Sequence, residues 1–183
     1  LGSLICLFLS IFNRKKIKKN AYKKVLLIQL WGMGETILCL PAIKALKESS
    51  KNLSIDVLVT ERVKDIFYNN KNIDGIISVN LSPFSIIKFI IKNCRKYGIA
   101  IDMEEYLNVS AIMAFFAGRE RIGYSHGIRS GLYTKTIAYN DKQHVVYTFL
   151  DLLKPLGIKK TIKNLEKLDY SNDDKNKIEK LLQ

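Results

Sequence analysis

The chain has 183 residues, which fits one domain and leaves little room for a second. With 48% hydrophobic and 26% charged residues it can bury a core, and a mean hydropathy of +0.01 excludes a multi-span membrane protein. The net charge is +13; the three cysteines are widely spaced and the two histidines few, which argues against a disulfide framework or a His-rich metal site and suits a reducing compartment.

Residues 1–23 read as a leader. Leu1 to Phe12 is uncharged and largely apolar, but a full membrane span needs roughly 20 such residues. It is followed by Arg14, Lys15, Lys16, Lys18, Lys19, Lys23 and Lys24 with no acid, so about half of the excess charge sits here. The chain begins with Leu, and the reading expects further residues upstream. Cations after an apolar run keep that side in the cytoplasm and attract anionic lipid; a secretory signal has the reverse order. A membrane anchor, an ordinary helix packed on the domain and a cleaved signal all remain open.

The elements then alternate. Residues 25–30 (Val-Leu-Leu-Ile-Gln-Leu) read as a strand buried on both faces. Residues 31–34 read as a turn, and Glu35 to Lys47 as a helix that tolerates Pro41 in its first turns. A second strand is expected at 55–59, a short helix at 61–68, a polar loop at 69–72 and a third strand at 75–79. Ser82-Pro83 opens a helix to about Lys96. A fourth strand at 99–102 leads to a helix at 107–117 closed by Gly118. A short fifth strand at 121–124 precedes a basic loop, 125–134, and a helix at 143–156. Five strand–helix alternations predict a Rossmann-like, doubly wound α/β domain with a mainly parallel sheet over 24–158. Residues 159–183 turn Lys-, Asn- and Asp-rich and read as a linker with a final helix at 174–182, capped from Ser171.

Open α/β sheets bind ligands at the carboxyl ends of their strands. After the first strand, Gly32-Met33-Gly34 allows a tight turn and close approach to a ligand. The dinucleotide fingerprint lacks its third glycine, and no Lys-Ser/Thr pair makes a P-loop. Glu35 sits at a helix N-terminus; it is either a cap or a base able to take a proton from a bound hydroxyl. After the fourth strand come Asp102, Glu104, Glu105, Tyr106, Asn108 and Ser110, either a capped helix start or a set of groups for sugar hydroxyls or a cation, though not at calcium-loop spacing. The basic loop carries Arg119, Arg121, His126, Arg129 and Lys135, whose arginine forks suit phosphate or carboxylate. No nucleic-acid motif accompanies them. His144 follows Asp141 and reads as a cap or a group reaching the cleft.

Several blocks in order resemble glycosyltransferase family 9, the lipopolysaccharide heptosyltransferases. They are Lys24 to Glu35, Leu40-Pro41-Ala42-Ile43-Lys44-Ala45-Leu46, residues 55–59, Ile101-Asp102 with Ser110-Ala111, Ala117 to Tyr124, and His144-Val145-Val146 through Gly157. The resemblance covers roughly residues 24–158. It implies the N-terminal, acceptor-side half of a two-domain GT-B enzyme. The donor, by default ADP-heptose, would be held by a second domain, and the transfer inverts the anomeric centre with no metal or other cofactor. The family's acidic residue in the first loop falls on Glu35, where Asp is commoner. Acceptor contacts would come from Gly32, Met33, Gly34, Glu104, Glu105, Asn108, Arg121, Arg129, Lys135 and His144. The implied partners are a glycolipid or oligosaccharide acceptor and the anionic inner-membrane surface, on its cytoplasmic face, with no nucleic acid. The length predicts a fragment inactive without its second domain. A non-catalytic binder of anionic glycan or lipid is the alternative, and a nucleic-acid binder a more distant one.

Overall fold

The computed structural model describes residues 2–13, 22–50, 52–159 and 165–182. The cations from Arg14 to Lys19 lie outside them. Six parallel strands form one sheet: β1 (Lys24–Ile28), β2 (Ser54–Val59), β3 (Gly75–Ser78), β4 (Tyr97–Asp102), β5 (Gly118–Tyr124) and β6 (Lys135–Ile137). Their order is β3-β2-β1-β4-β5-β6. β1 is central, with Val25 opposite both Ile55 and Ile99. Its residues alternate between faces because successive side chains point to opposite sides of a strand. Val25 and Leu27 join the core under α2 (Met33–Ser49) and α5 (Val145–Asp151). Leu26 and Ile28 join the core under α3 (Pro83–Asn93) and α4 (Asn108–Ala117). Helices on both faces explain why the strand is apolar without interruption.

The sequence expectations shift at several boundaries. α2 begins at Met33, so the turn contracts onto Gly32, whose φ of 79° does the reversal alone. Residues 61–68 form a turn and one 3-10 segment, Lys64–Phe67, where a short helix was expected. α3 stops at Asn93, and Arg95 takes a φ of 53°. β5 is longer than expected and starts at Gly118 itself. The basic loop contains a 3-10 turn, Ile128–Leu132, and leads into β6, a strand the sequence reading lacked. The helix expected at 143–156 is α5 followed by a 3-10 turn, Lys154–Leu156. α6 (Asn172–Leu181) is capped by Ser171, which accepts from the Asp174 N–H, and buries none of its side chains.

The apolar start of the chain forms α1 (Gly2–Ser10), a nine-residue helix laid against α4. Cys6 is fully buried in a small cluster with Ala111, Phe115, Leu132 and Tyr133. Asn13 then donates to the carbonyls of Gly131 and Tyr133. Among the described residues no helix is long and apolar enough to cross a membrane. Packing on the domain, one of the three readings of this segment, is what α1 does.

One buried polar knot joins the basic loop to the sheet. Asp102, at the end of β4, has no exposed surface, and its Oδ2 receives Arg129 Nη2 at 2.6 Å, Tyr133 OH at 2.7 Å and Ser110 Oγ at 2.8 Å. The Tyr133 ring lies over Gly123, where a Cβ would come within 2.3 Å of it, so only glycine fits. Removing one partner of a buried ion pair strands the other charge. Arg129→Ala is therefore expected to lower the unfolding free energy by about 3–5 kcal/mol, read from urea denaturation. A loss below about 1 kcal/mol, the scale of an exposed pair, would show that Asp102 does not depend on Arg129.

Candidate functional site

The strand order reverses direction between β1 and β4, and in such sheets the crevice beyond the carboxyl ends of those strands is where ligands bind. A cavity of about 340 Å³ opens there. Trp31 and Glu35 enter it from the loop after β1, and Met103, Glu104, Glu105, Tyr106 and Leu107 from the loop after β4. Leu81 comes from beyond β3, Tyr139 from beyond β6, and Val145 and Phe149 from α5.

Glu35 lies in the first turn of α2. Its carboxylate folds back over Gly32, where a Cβ would stand 3.0 Å from Oε2. Partial burial pushes its pKa above the usual carboxylate value, and the charge of Glu105 adds to the rise. A carboxylate so raised is a better proton acceptor near neutral pH than a solvated one.

Glu104 plays a different part. It is buried, and one oxygen, Oε1, accepts the backbone N–H groups of Leu30 at 2.6 Å and Trp31 at 2.8 Å. Its own N–H donates to Asp102 Oδ1 at 3.1 Å. The carboxylate thus staples the end of β1 to the end of β4, and it fixes the loop from which Glu35 springs. Burial pushes its pKa up to about 7; the two backbone donors oppose the shift, and Asp102 and Glu35 add to it.

Glu105 closes the far wall. The hydroxyls of Tyr106 and Tyr139 sit against it, and both phenols are held above their usual pKa, Tyr106 chiefly by Glu105 and Tyr139 chiefly by burial. His126 reaches it at 3.8 Å from Nδ1 and meets the Tyr106 ring edge-on, with centroids 4.9 Å apart. These phenols and the imidazole offer donors and flat faces to a polar ring.

The other sequence candidates lie elsewhere. Gly32 makes the turn, while Met33 and Gly34 start α2 outside the cavity lining. Asn108 heads α4 and donates to Ser3 Oγ of α1, facing that helix. Arg121 is buried under the Phe115 ring and donates to the carbonyls of Leu132, Gly118 and Arg119 and to Asn13. Arg129 reaches Asp102, Ser110 and Tyr133 through Nη2, while its Nε and Nη1 are buried without a hydrogen-bond partner. Lys135 lies on β6, donating to the Pro155 carbonyl with Glu120 3.8 Å away. His144 caps α5, its Nδ1 accepting from the Val146 N–H at 3.3 Å. None of the three lines the cavity: Arg121 answers backbone carbonyls, Arg129 pairs with buried Asp102, and Lys135 answers the Pro155 carbonyl near Glu120. Among the described residues no group of three or more His, Cys, Asp or Glu is placed to hold a metal ion. Sequence reasoning missed Trp31, Met103, Tyr139, Val145 and Phe149. Tyr139 was findable only by recognising β6, whose Lys135-Thr136-Ile137 is too short for a clear period.

The Glu104 pKa has a consequence for stability. Its folded value, about 7, lies above its ordinary 4.5. Its contribution is therefore complete below about 4.5 and is lost as pH rises through about 7, by roughly 3 kcal/mol. Glu104→Gln keeps the accepting oxygen and removes the titration. Urea unfolding at pH 5 and pH 8 should show the variant losing less stability than the parent across that interval. Equal losses would contradict the assignment.

No protein-family model matches this chain, and no curated protein does. Solved structures do. A glycosyl transferase family 9 protein from Veillonella parvula DSM 2008 superposes with a TM-score of 0.75 at 17% identity, over 90% of this chain and 50% of that one. Escherichia coli heptosyltransferase WaaC with ADP gives a TM-score of 0.65 at 21% identity, over 78% and 50%. E. coli ADP-heptose lps heptosyltransferase II gives 0.68 at 15%, over 87% and 50%. The chain spans about half the length of these proteins. Its Rossmann-like α/β fold is that of half of a family 9 glycosyltransferase.

Proposed function

We propose that this chain is the acceptor-binding half of an inverting glycosyltransferase, with Glu35 as the general base. The carrying observation is a carboxylate of raised pKa on the wall of the cavity at the β1/β4 crossover. The likeness to family 9 structures supports the reaction class. The names of the E. coli neighbours make ADP-heptose the default donor and a lipopolysaccharide-core glycolipid the default acceptor.

In this reading a sugar hydroxyl of the acceptor docks in the cavity, its ring against Trp31, Tyr106 or Tyr139. Glu35 takes the hydroxyl proton as the acceptor oxygen forms its bond to the anomeric carbon of the donor. The bond from that carbon to the diphosphate oxygen breaks on the opposite face, and the nucleoside diphosphate leaves. Glu is one methylene longer than Asp, and the fold of Glu35 back over Gly32 draws its carboxylate close to the helix start. Glu104 positions the loop without touching the reacting atoms. Turnover needs donor and acceptor held in line, which can supply several kcal/mol of the barrier, so a second domain that binds the donor is part of the proposal. A lipid-linked acceptor implies a protein working at the cytoplasmic face of the inner membrane.

The test joins this chain to a donor-binding half from a family 9 protein and supplies a nucleotide-heptose and a lipid A-type acceptor. Glu35→Gln is expected to lower kcat about 10²–10⁴-fold while acceptor binding persists. The parent kcat/KM should rise with pH as Glu35 deprotonates, with its acidic limb above pH 4.5. An active fusion whose rate is indifferent to Glu35→Gln would contradict the base assignment and favour a non-catalytic glycan- or lipid-binding module. Turnover by the 183-residue chain alone would contradict the need for a donor half.

A further inference from the structure

Two helices on one side of the sheet turn apolar side chains outward. On α1 these include Phe8, and Ile11 and Phe12 follow in the turn after it; on α3 they are Phe84, Ile87 and Ile91. All six are between 56% and 78% exposed. Leu9 of α1 and Ile90 of α3 both lean on the small cluster around Phe115, so the two helices flank α4 on the same side of the domain. Phe84, Ile87, Lys88, Ile91 and Lys92 follow the i, i+3, i+4 spacing of one helix face. Isolated exposed apolar residues are ordinary, but two helices that both expose them on one side of a domain mark an interaction surface.

The charge around this face says what kind of partner it fits. The sequence carries no Asp or Glu between Asp74 and Asp102, while Lys88, Lys92, Arg95 and Lys96 fall in that stretch. The sequence after Asn13 continues with Arg14, Lys15 and Lys16, again without an acid before Lys24. Apolar residues beside cations in stretches without an acid, Lys88 and Lys92 on α3 itself, match a surface with hydrocarbon beneath anionic headgroups. A second copy of this chain would bring like charge against like charge. We propose that the outer faces of α1 and α3 lie on an anionic lipid bilayer, with α1 in the interfacial plane and not across the membrane.

The face also adjoins the site. α3 starts just past Leu81, which lines the cavity, and the first turn of α1 packs on Asn108, next to Leu107, which also lines it. A glycolipid headgroup rising from the bilayer at this edge reaches the cavity without leaving the surface. This last point rests on the acceptor reading above; the bilayer contact itself does not.

The test is co-sedimentation of the full chain with vesicles containing phosphatidylglycerol and with vesicles of phosphatidylcholine alone. Binding to the anionic vesicles, weakened by salt and much lower on neutral ones, is expected. Ile87→Glu with Ile91→Glu should reduce the anionic partition about tenfold or more, and Lys88→Glu with Lys92→Glu should reduce it and flatten the salt dependence. Glu35→Gln should bind like the parent, so failure of the catalytic reading leaves this result standing. Hydrogen exchange of the unaltered chain on vesicles gives a second readout that needs no variant: α1 and α3 should slow and α6 should not. A parent chain that stays in the supernatant with both vesicles would overturn the proposal. So would vesicle binding indifferent to the α3 substitutions, or a dimer in light scattering that Ile87→Glu with Ile91→Glu dissolves while vesicles are ignored.

Discussion

A single buried carboxylate oxygen holds the site together. Glu104 Oε1 takes the N–H groups of Leu30 and Trp31, the two donors left free where β1 ends and the chain must turn. Unmet backbone donors in that position would carry a full desolvation penalty. Meeting them from the neighbouring strand fixes the spacing between the two loops that build the cavity. Behind Glu104 stands Asp102, which accepts its N–H and is itself held by Arg129, Tyr133 and Ser110. A continuous set of hydrogen bonds therefore runs from the basic loop, through the end of β4, to the turn that carries Glu35. The carboxylates on this edge differ in burial. Asp102 and Glu104 are buried and tie the strand ends together, Glu104 also lining the cavity, while Glu35 and Glu105 line it with more of their surface exposed.

Much of the sheet was legible because a parallel strand covered on both faces leaves an unmistakable run such as Val25 to Leu30. The location of the cavity followed from the same pattern, since strand ends in this topology are where loops converge. Glu35 and Glu105 were found in that way. The basic loop is ambiguous in sequence for a physical reason. Arg121 and Arg129 look like ligand-binding arginines in sequence, but a buried guanidinium with five donors is also an efficient partner for several carbonyls or a buried acid, and sequence does not distinguish the two uses. β6 and Tyr139 were missed because three residues carry no period. Glu104 looks like an acceptor contact in sequence; it does line the cavity, and its carboxylate also staples two strand ends. Its spacing from Asp102 shows that both leave one strand end, but not which turns inward.

The proposed reading uses two distinct surfaces. The carboxyl edge of the sheet gathers carboxylates and aromatic rings around a cavity. The α1–α3 side gathers apolar residues and cations with no intervening acid. The nine residues of α1 link the two, packed by Cys6 on the domain and open on the other face. The apolar, basic leader and the cavity then serve one purpose in the proposed reading: presenting a membrane-borne acceptor to Glu35.

The most direct test of the account is a crystal structure of this chain with a heptose-containing acceptor fragment bound. The account predicts the sugar in the cavity between Trp31, Tyr106 and Tyr139, with one hydroxyl about 2.6–3.2 Å from a carboxylate oxygen of Glu35. A sugar bound outside that cavity, or bound within it with Glu35 turned away from every hydroxyl, would contradict it.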